Sequence, residues 1–425
     1  MTDQHAAQFG SGGETVRVLL YSHDSFGLGH LRRCREIAHT FVRADADVYV
    51  LIISGSSVIG SFEFLDRIDF VRVPGVSKLP TGEYVSQDLP LSIEDTIFIR
   101  AVLIRQTVDS FRPDLAIVDK EPLGLCGELK DTLRLLQARG VPCVLGLRDV
   151  LDDPAALAHE WQRNHAVPAL TEYYQEIWVY GVREIFDPLT SIALPPGVRE
   201  RMVYTGYLRR IRSAAVRRLP LAKIHRPYLL VTIGGGGDGE AVINWVLRAY
   251  ETGVQLPYPA LIVLGPFMNV ATRQDFERRA ARLADVETLT FDANIESLID
   301  DAVGMVSMCG FNTFCEILSF DKRALVVPRS VPRREQYLRA ERADALGLVR
   351  MLPDDGRHEA GAMVAALRAL PAQEPPSATR VDGLLDGCDR LAELGRLWFG
   401  RCRDGSVVTP MRSCTRRDER VIASS

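Results

Sequence analysis

Three glycine-bearing segments hold the residues best suited to bind or react. In Ile233-Gly234-Gly235-Gly236-Gly237-Asp238-Gly239, side chains are nearly absent. Its backbone N–H groups can therefore come close to an anion, and a helix starting just after it adds a favourable dipole. A pyrophosphate suits that environment. Gly234, Gly236 and Gly239 fit G-x-G-x-x-G. A dinucleotide site also asks for an acid about 20 residues on, at the end of the next strand. There the chain reads Val263-Leu264-Gly265-Pro266, without a carboxylate. The segment is therefore read as a nucleoside-diphosphate site, the competing reading being a glycine turn with no ligand.

The second segment, Ser22-His23-Asp24-Ser25-Phe26-Gly27-Leu28-Gly29-His30, also joins a strand to a helix. It sets His30 at the helix start, beside Gly27 and Gly29, which let a substrate approach. A neutral imidazole there can act as general base, and the helix N-terminus favours the neutral form. The plain alternatives are a capping His30 and turn roles for Asp24 and His23. Asp24 is a further catalytic candidate, and Ser25, Gly27 and Gly29 are assigned to the acceptor side.

The third, Met308-Cys309-Gly310-Phe311-Asn312-Thr313-Phe314-Cys315-Glu316, follows a strand and turns into a helix. Asn312 or Thr313 can cap it. Glu316 could accept two hydrogen bonds from a ribose diol, or close a capping box with Thr313. Downstream, Gln336 suits sugar hydroxyls because an amide both donates and accepts, while Arg333 and Arg334 read as solvated surface. Two more candidates follow buried strands. Glu121 could assist the base or bind acceptor. Arg148 falls on the acceptor side, with Asp149 read as a helix cap and possible partner for it.

Positioning these segments requires alternating strands and helices. Val16–Tyr21, a helical face through Cys34, Ile37, Ala38, Phe41 and Val42, and Val48–Ile53 form a βαβ unit, which implies a parallel sheet. Ile93 to Phe111 and Leu129 to Leu136 repeat at helical spacing; Leu115–Val118, Val141–Leu147 and Ile177–Tyr180 read as strands. A second series begins at Tyr228–Ile233 and runs to Val349–Leu352. The fold class is therefore α/β, with two Rossmann-like doubly wound domains facing across a cleft. Ligands bind beyond the carboxyl ends of such strands. We expect an N-terminal acceptor-side domain over 1–207, a linker over 208–226, a nucleotide-sugar-binding domain over 227–383, a helix over 384–400 that crosses back, and a disordered tail over 401–425. Five arginines between Arg209 and Arg218 read as solvated linker rather than an anionic-lipid contact, because no large apolar face accompanies them.

The 425 residues are 47% hydrophobic and 25% charged, with a net charge of −4. Such a chain is an ordinary globular protein with no field to attract nucleic acid. A leader with no Lys or Arg and no apolar run before Glu14 points away from a secretory signal. Eight cysteines include no CxxC pair, which points to a reducing, cytoplasmic setting without disulfides or structural zinc.

The run from Phe291 to Gly347 resembles the C-terminal domain of glycosyltransferases of the GT-B fold, of the family 28 kind, a group that includes the bacterial peptidoglycan N-acetylglucosaminyltransferase. The shared features are Asn294, Gly310-Phe311-Asn312-Thr313, Glu316, Pro328, Glu335-Gln336 and Arg339-Ala340. The Gly-x-Gly-His of the first loop is similar to the acceptor-side loop of the same group. The resemblance implies that Gly234 to Gly237 and Gly310 to Thr313 hold the diphosphate and that Glu316 binds the ribose. It further implies that Gln336 meets the donor sugar, that Phe291 to Asn294 lie against the base, and that His30 is the catalytic base. The expected activity is metal-independent, inverting transfer of a hexosyl or N-acetylhexosaminyl group from a nucleotide-sugar, UDP-linked, to a lipid-linked, sugar or small-molecule acceptor, with no cofactor beyond that substrate. Gly-x-Gly-His followed by Arg33-Cys34 also resembles a nucleotide-sugar hydrolase of this fold, in which the histidine activates water. A non-catalytic nucleotide-sugar binding protein is the third reading.

Overall fold

The computed structural model describes residues 15–23, 29–79, 83–211, 221–225, 227–234, 237–292 and 295–406. Asp24, Ser25, Gly27, Gly235, Gly236, Asn294, most of the 208–226 linker and the tail beyond 406 lie outside them.

The first half contains β1 (Val16–Ser22), α1 (Gly29–Ala44), β2 (Val48–Ser54), β3 (Ile68–Arg72), β4 (Val76–Lys78), β5 (Tyr84–Ser86), α2 (Ile93–Phe111), β6 (Leu115–Asp119), α3 (Lys130–Ala138), β7 (Cys143–Arg148), α4 (Pro154–Arg163), α5 (Ala166–Tyr173), β8 (Glu176–Tyr180) and β9 (Met202–Tyr204). Its seven-stranded sheet runs in the order β3-β2-β1-β6-β7-β8-β9, with every pairing parallel. Near-continuous burial along β1 and β6 is what a strand covered on both faces requires.

The second half contains β10 (Leu229–Thr232), α6 (Glu240–Glu251), β11 (Ala260–Val263), α7 (Val270–Ala281), β12 (Val286–Leu289), α8 (Ile295–Asp301), β13 (Gly304–Ser307), α9 (Phe311–Ser319), β14 (Ala324–Val326), α10 (Glu335–Ala345), β15 (Arg350–Met351), α11 (Ala360–Ala369) and α12 (Gly387–Arg403). Its six strands run in the parallel order β12-β11-β10-β13-β14-β15. Both sheets reverse direction beside their first strand, between β1 and β6 and between β10 and β13. A doubly wound sheet binds its ligands at that reversal.

Local chemistry sets the helix ends. Ser92 caps α2 by accepting from the Asp95 N–H at 3.0 Å, and Arg112 ends it in the left-handed region ahead of Pro113. Asp153 caps α4, with Pro154 in its first turn. Asn269 caps α7, its side-chain oxygen accepting from the Ala271 N–H. The short β3, the β4–β5 hairpin, α4, α5, β9 and α11 carry too little periodicity to stand out in the sequence.

Helix α12 packs against α1 of the first half. Phe399 meets Phe41 of α1 edge to face at 5.4 Å, and Arg403 pairs with Asp45 at 2.9 Å. The helix runs on to Arg403, past the 384–400 expected, and its last turn lies on residues assigned to the tail. The approach at its start is backbone on backbone. A Cβ on Gly387 would come within 2.5 Å of the Tyr207 carbonyl, and one on Gly206 within 2.2 Å of the Gly383 carbonyl.

The halves meet through a buried fork. Arg339 of α10 donates to both carboxylate oxygens of Asp149, just past β7, at 2.7 and 2.6 Å. The Tyr207 hydroxyl donates to the same carboxylate at 2.6 Å. Both side chains of the ion pair are fully buried. Asp149 is therefore an inter-half anchor, not the helix cap expected of it, and Arg148 does not pair with it. The solvated-surface reading fails likewise for Arg333, whereas Arg334 is exposed and also meets an acid across the cleft. Arg333 pairs with Glu160 at 3.2 Å and Arg334 with Asp153 at 3.2 Å, both on α4 or its cap in the opposite half. Arg210, expected as solvated linker, is buried and reaches Glu36 at 3.3 Å and Asn312 at 2.8 Å.

Removing one member of a buried ion pair strands the other charge. Asp149→Ala or Arg339→Met should each lower unfolding free energy by roughly 3–5 kcal/mol, while the double variant should lose less than the sum of the two. Additive losses in chemical denaturation would show that the fork does not couple the halves.

Candidate functional site

The two sheet reversals face one another across a cavity of about 270 Å³. The first half contributes Gly29, His30, Arg32, Arg33 and Arg148. The second contributes Thr232, Ile233, Gly234, Gly237, Phe291, Met308, Gly310, Phe311, Asn312, Thr313, Glu316, Glu335 and Gln336. Most of the described residues singled out by sequence thus converge here. Glu121 does not. It pairs with Lys120 at 3.2 Å and lines a separate cavity of about 400 Å³ with His23, Tyr84, Lys130 and Arg163, so direct assistance to His30 is not supported.

His30 enters from the second position of α1. Its Nδ1 lies 2.5 Å from Asp119 Oδ2 at the end of β6, the strand that pairs with β1 across the reversal. The carboxylate is charged, so Nδ1 carries the proton and donates it to Asp119, leaving the lone pair on Nε2. Arg33, one turn along α1, donates from Nε and Nη2 to Asp119 Oδ1 at 2.8 and 2.6 Å. Burial alone would raise the Asp119 carboxyl, but Arg33 and His30 outweigh it and hold it below the usual carboxylate range. Burial lowers the His30 imidazole to about 3; Asp119 opposes that shift, while Arg33 and Lys120 reinforce it. Neighbouring His23 packs edge-on at 5.5 Å and is driven well down, first by burial and then by Lys120 and His30. Asp119 is the functional residue that sequence reasoning missed. Its signal was an acid ending the strand next to β1, one residue before the Lys120-Glu121 pair.

The opposite wall is built from backbone. Gly234, two residues past the end of β10, has φ +72°, a conformation that suits glycine. Cys309, after β13, takes φ +63° and turns the chain so that Gly310 becomes the N-cap of α9. Neither Asn312 nor Thr313 caps this helix, and the capping box of Thr313 with Glu316 does not form. Asn312 instead donates to the Gly29 carbonyl at 3.1 Å, tying the two loops together. The first-turn N–H groups of α9 have no helical acceptors and face the cleft end of the helix.

Glu316 is 1% exposed and lies 2.6 Å from Arg32 Nη2 of the opposite half. Burial raises its carboxyl, with Arg32 acting against that shift. The contact is an ion pair whose geometry leaves Oε1 without a hydrogen bond. Arg32 is shared with Glu296 at 2.8 Å. The Gln336 side-chain oxygen accepts from the Arg329 N–H at 3.2 Å, and Arg329 pairs with Glu335 at 2.8 Å. Phe291 is 44% exposed at the cavity rim, an open ring face beside the glycine loop. Among the described residues no cluster of three or more His, Cys, Asp or Glu side chains could hold a metal ion, and no helix is long and apolar enough to cross a membrane.

Residues 230–374 match the family model for the glycosyltransferase family 28 C-terminal domain. A curated relative from Methanosarcina mazei, described as an uncharacterized glycosyltransferase, is 23% identical over 328 residues, covering 71% of this chain and 77% of the relative. Among solved structures, a UDP-glucosyltransferase from Polygonum tinctorium superposes with a TM-score of 0.60 at 14% identity, covering 91% of this chain and 99% of that one. MurG from Acinetobacter baumannii superposes with a TM-score of 0.54 at 12% identity, covering 90% and 99%. At such identities the superpositions speak for the fold, and the family model speaks for the second half. The chain thus has the GT-B fold, and its residues 230–374 belong to the glycosyltransferase family 28 C-terminal domain.

Proposed function

We propose that the protein transfers a sugar from a nucleoside-diphosphate donor to an acceptor hydroxyl with inversion at the anomeric carbon. One observation carries this reading. The Asp119-held His30 opens onto the same cavity as the backbone turn at Gly234 and the N-terminus of α9. A base and an anion cradle therefore face each other across a space shared by both halves.

In this mechanism His30 Nε2 takes the proton of the acceptor hydroxyl as its oxygen attacks the anomeric carbon. The bond from that carbon to the phosphate oxygen breaks on the opposite face, and the nucleoside diphosphate leaves with the electron pair. N–H groups at Gly234, Gly237 and the start of α9 stabilise the leaving charge, the kind of preorganised electrostatics that dominates many enzymatic accelerations. Those dipoles and the surrounding guanidinium groups make divalent metal dispensable in this reading. Asp119 holds the productive tautomer and stabilises the imidazolium that forms. Glu316 offers its Oε1 to ribose hydroxyls, Gln336 meets the donor sugar, and Phe291 lies against the base. The hydrolytic alternative, in which His30 activates water alone, uses the same cleft and differs from transfer in whether nucleotide release depends on an acceptor.

His30→Ala should lower turnover by roughly 10²–10⁴-fold, while the dissociation constants for uridine, guanosine and thymidine diphosphates stay within about twofold. Near-normal turnover would remove His30 from the role of base. Release of free nucleoside diphosphate should depend on added acceptor; equal release without one would make the protein a hydrolase.

The pH dependence has a defined sign. Because the folded imidazole is lowered to about 3, His30 stays neutral and competent as the medium is acidified through the ordinary histidine range. The acid limb of kcat/KM should therefore lie below about pH 5, away from the usual histidine value near 6.5. His39 is also lowered to about 3, by burial first and then by Arg35 and Arg43. In the unfolded chain these rings protonate near 6.5, so stability should rise with pH from about 4 to 6.5 and then level off. A denaturation midpoint that is flat across that interval would contradict this.

A further inference from the structure

Arg148 closes β7 and lines the cleft beside His30. It differs from the other guanidinium groups around it. Arg33 is matched by Asp119 at 2.6 Å, Arg339 by Asp149 at 2.6 Å and Arg329 by Glu335 at 2.8 Å. Among the described residues Arg148 has no ion-pair or hydrogen-bond partner, and its Nε is buried without one. The carboxylate that attracts it most is Glu335, but Glu335 is engaged by Arg329, while Arg33, Arg339 and Arg333 all repel it. Burial first and this cationic company next pull the Arg148 guanidinium down to about 10. On the same cavity, Glu335 Oε2 is likewise buried without a hydrogen-bond partner. A planar five-donor fork and a lone carboxylate oxygen are thus left unsatisfied together, beside the proposed base. Holding an unmatched cation in a partly dry site costs stability, and such costs are retained where a ligand repays them.

We propose that the reacting cleft receives a second anionic group besides the diphosphate, a carboxylate or phosphate carried by the donor sugar or by the acceptor, seated on Arg148 with an adjoining hydroxyl donated to Glu335. This rests on the glycosyl-transfer reading of the cleft. Arg148 belongs to the half opposite the glycine loops, and its fork suits bidentate contact with an oxyanion. The arrangement selects for charge at the reacting sugar or acceptor rather than at the nucleotide.

The test uses the full chain and its Arg148→Gln variant. Titrations with UDP, UDP-glucose and UDP-glucuronate address the donor. Titrations of UDP-saturated protein with glucose and glucose 6-phosphate address the acceptor. In at least one arm the charged probe should bind roughly tenfold or more tighter than its neutral counterpart. Arg148→Gln should erase that preference, leave the affinity for UDP alone unchanged, and melt no lower than the parent when ligand-free. A preference confined to UDP-glucuronate assigns the anion to the donor, and one confined to glucose 6-phosphate assigns it to the acceptor. The inference is overturned if neither charged probe is preferred. It is also overturned if the variant loses UDP affinity by the same factor, which would make Arg148 a diphosphate ligand, or if the ligand-free variant melts lower. Failure of the parent protein to bind any of uridine, guanosine and thymidine diphosphates would instead count against the reading of the cleft itself.

Discussion

The fork between Arg339 and Asp149 is the contact on which the rest of the cleft depends. Asp149 directly follows the strand that ends in Arg148, and Arg339 lies one turn beyond Glu335 and Gln336. Arg339 Nη1 also donates to the Cys309 carbonyl at 3.0 Å, the residue whose left-handed turn presents Gly310 as the cap of α9. One guanidinium therefore fixes the distance between the halves and the aim of the helix end that faces His30. The Tyr207 hydroxyl and the Phe311 ring, 5.8 Å from the guanidinium carbon, complete its enclosure. Neutralising the fork and satisfying its donors together is what makes such burial tolerable.

Around this anchor, charge pairs bridge the halves beside a buried apolar cluster that both share. Arg32 reaches Glu316 and Glu296, Arg333 reaches Glu160 and Arg334 reaches Asp153, each a cation meeting a carboxylate of the other half, while Arg210 of the linker ties Glu36 of α1 to Asn312 of α9. The chain's small net charge hides this matched pairing, and only geometry reveals which cation is left over.

Much of the fold was legible in the sequence because buried parallel strands leave continuous apolar runs, and the glycine turns after β1, β10 and β13 mark the sheet reversals. His30, Gly234, Gly310 and Glu316 could be named for that reason. What could not be read were pairings between residues far apart in the chain. Nothing near Asp119 announces that it holds His30, since the two meet only when β6 lies beside β1. Thr313 and Glu316 had the spacing of a capping box, yet the turn at Cys309 moved the cap to Gly310 and freed Glu316 for Arg32. Arg333 looked like solvated surface because its acidic partner lies on the other half.

Helix α12 has a consequence for how the molecule is made. Its Arg403 contacts Asp45 across 358 residues of sequence, and its Phe399 covers Phe41. At translation speeds of about 5–20 residues per second, the ribosome delivers this cover tens of seconds after the first sheet has emerged. Throughout that interval the newly made first half lacks the aromatic cover that Phe399 places on Phe41.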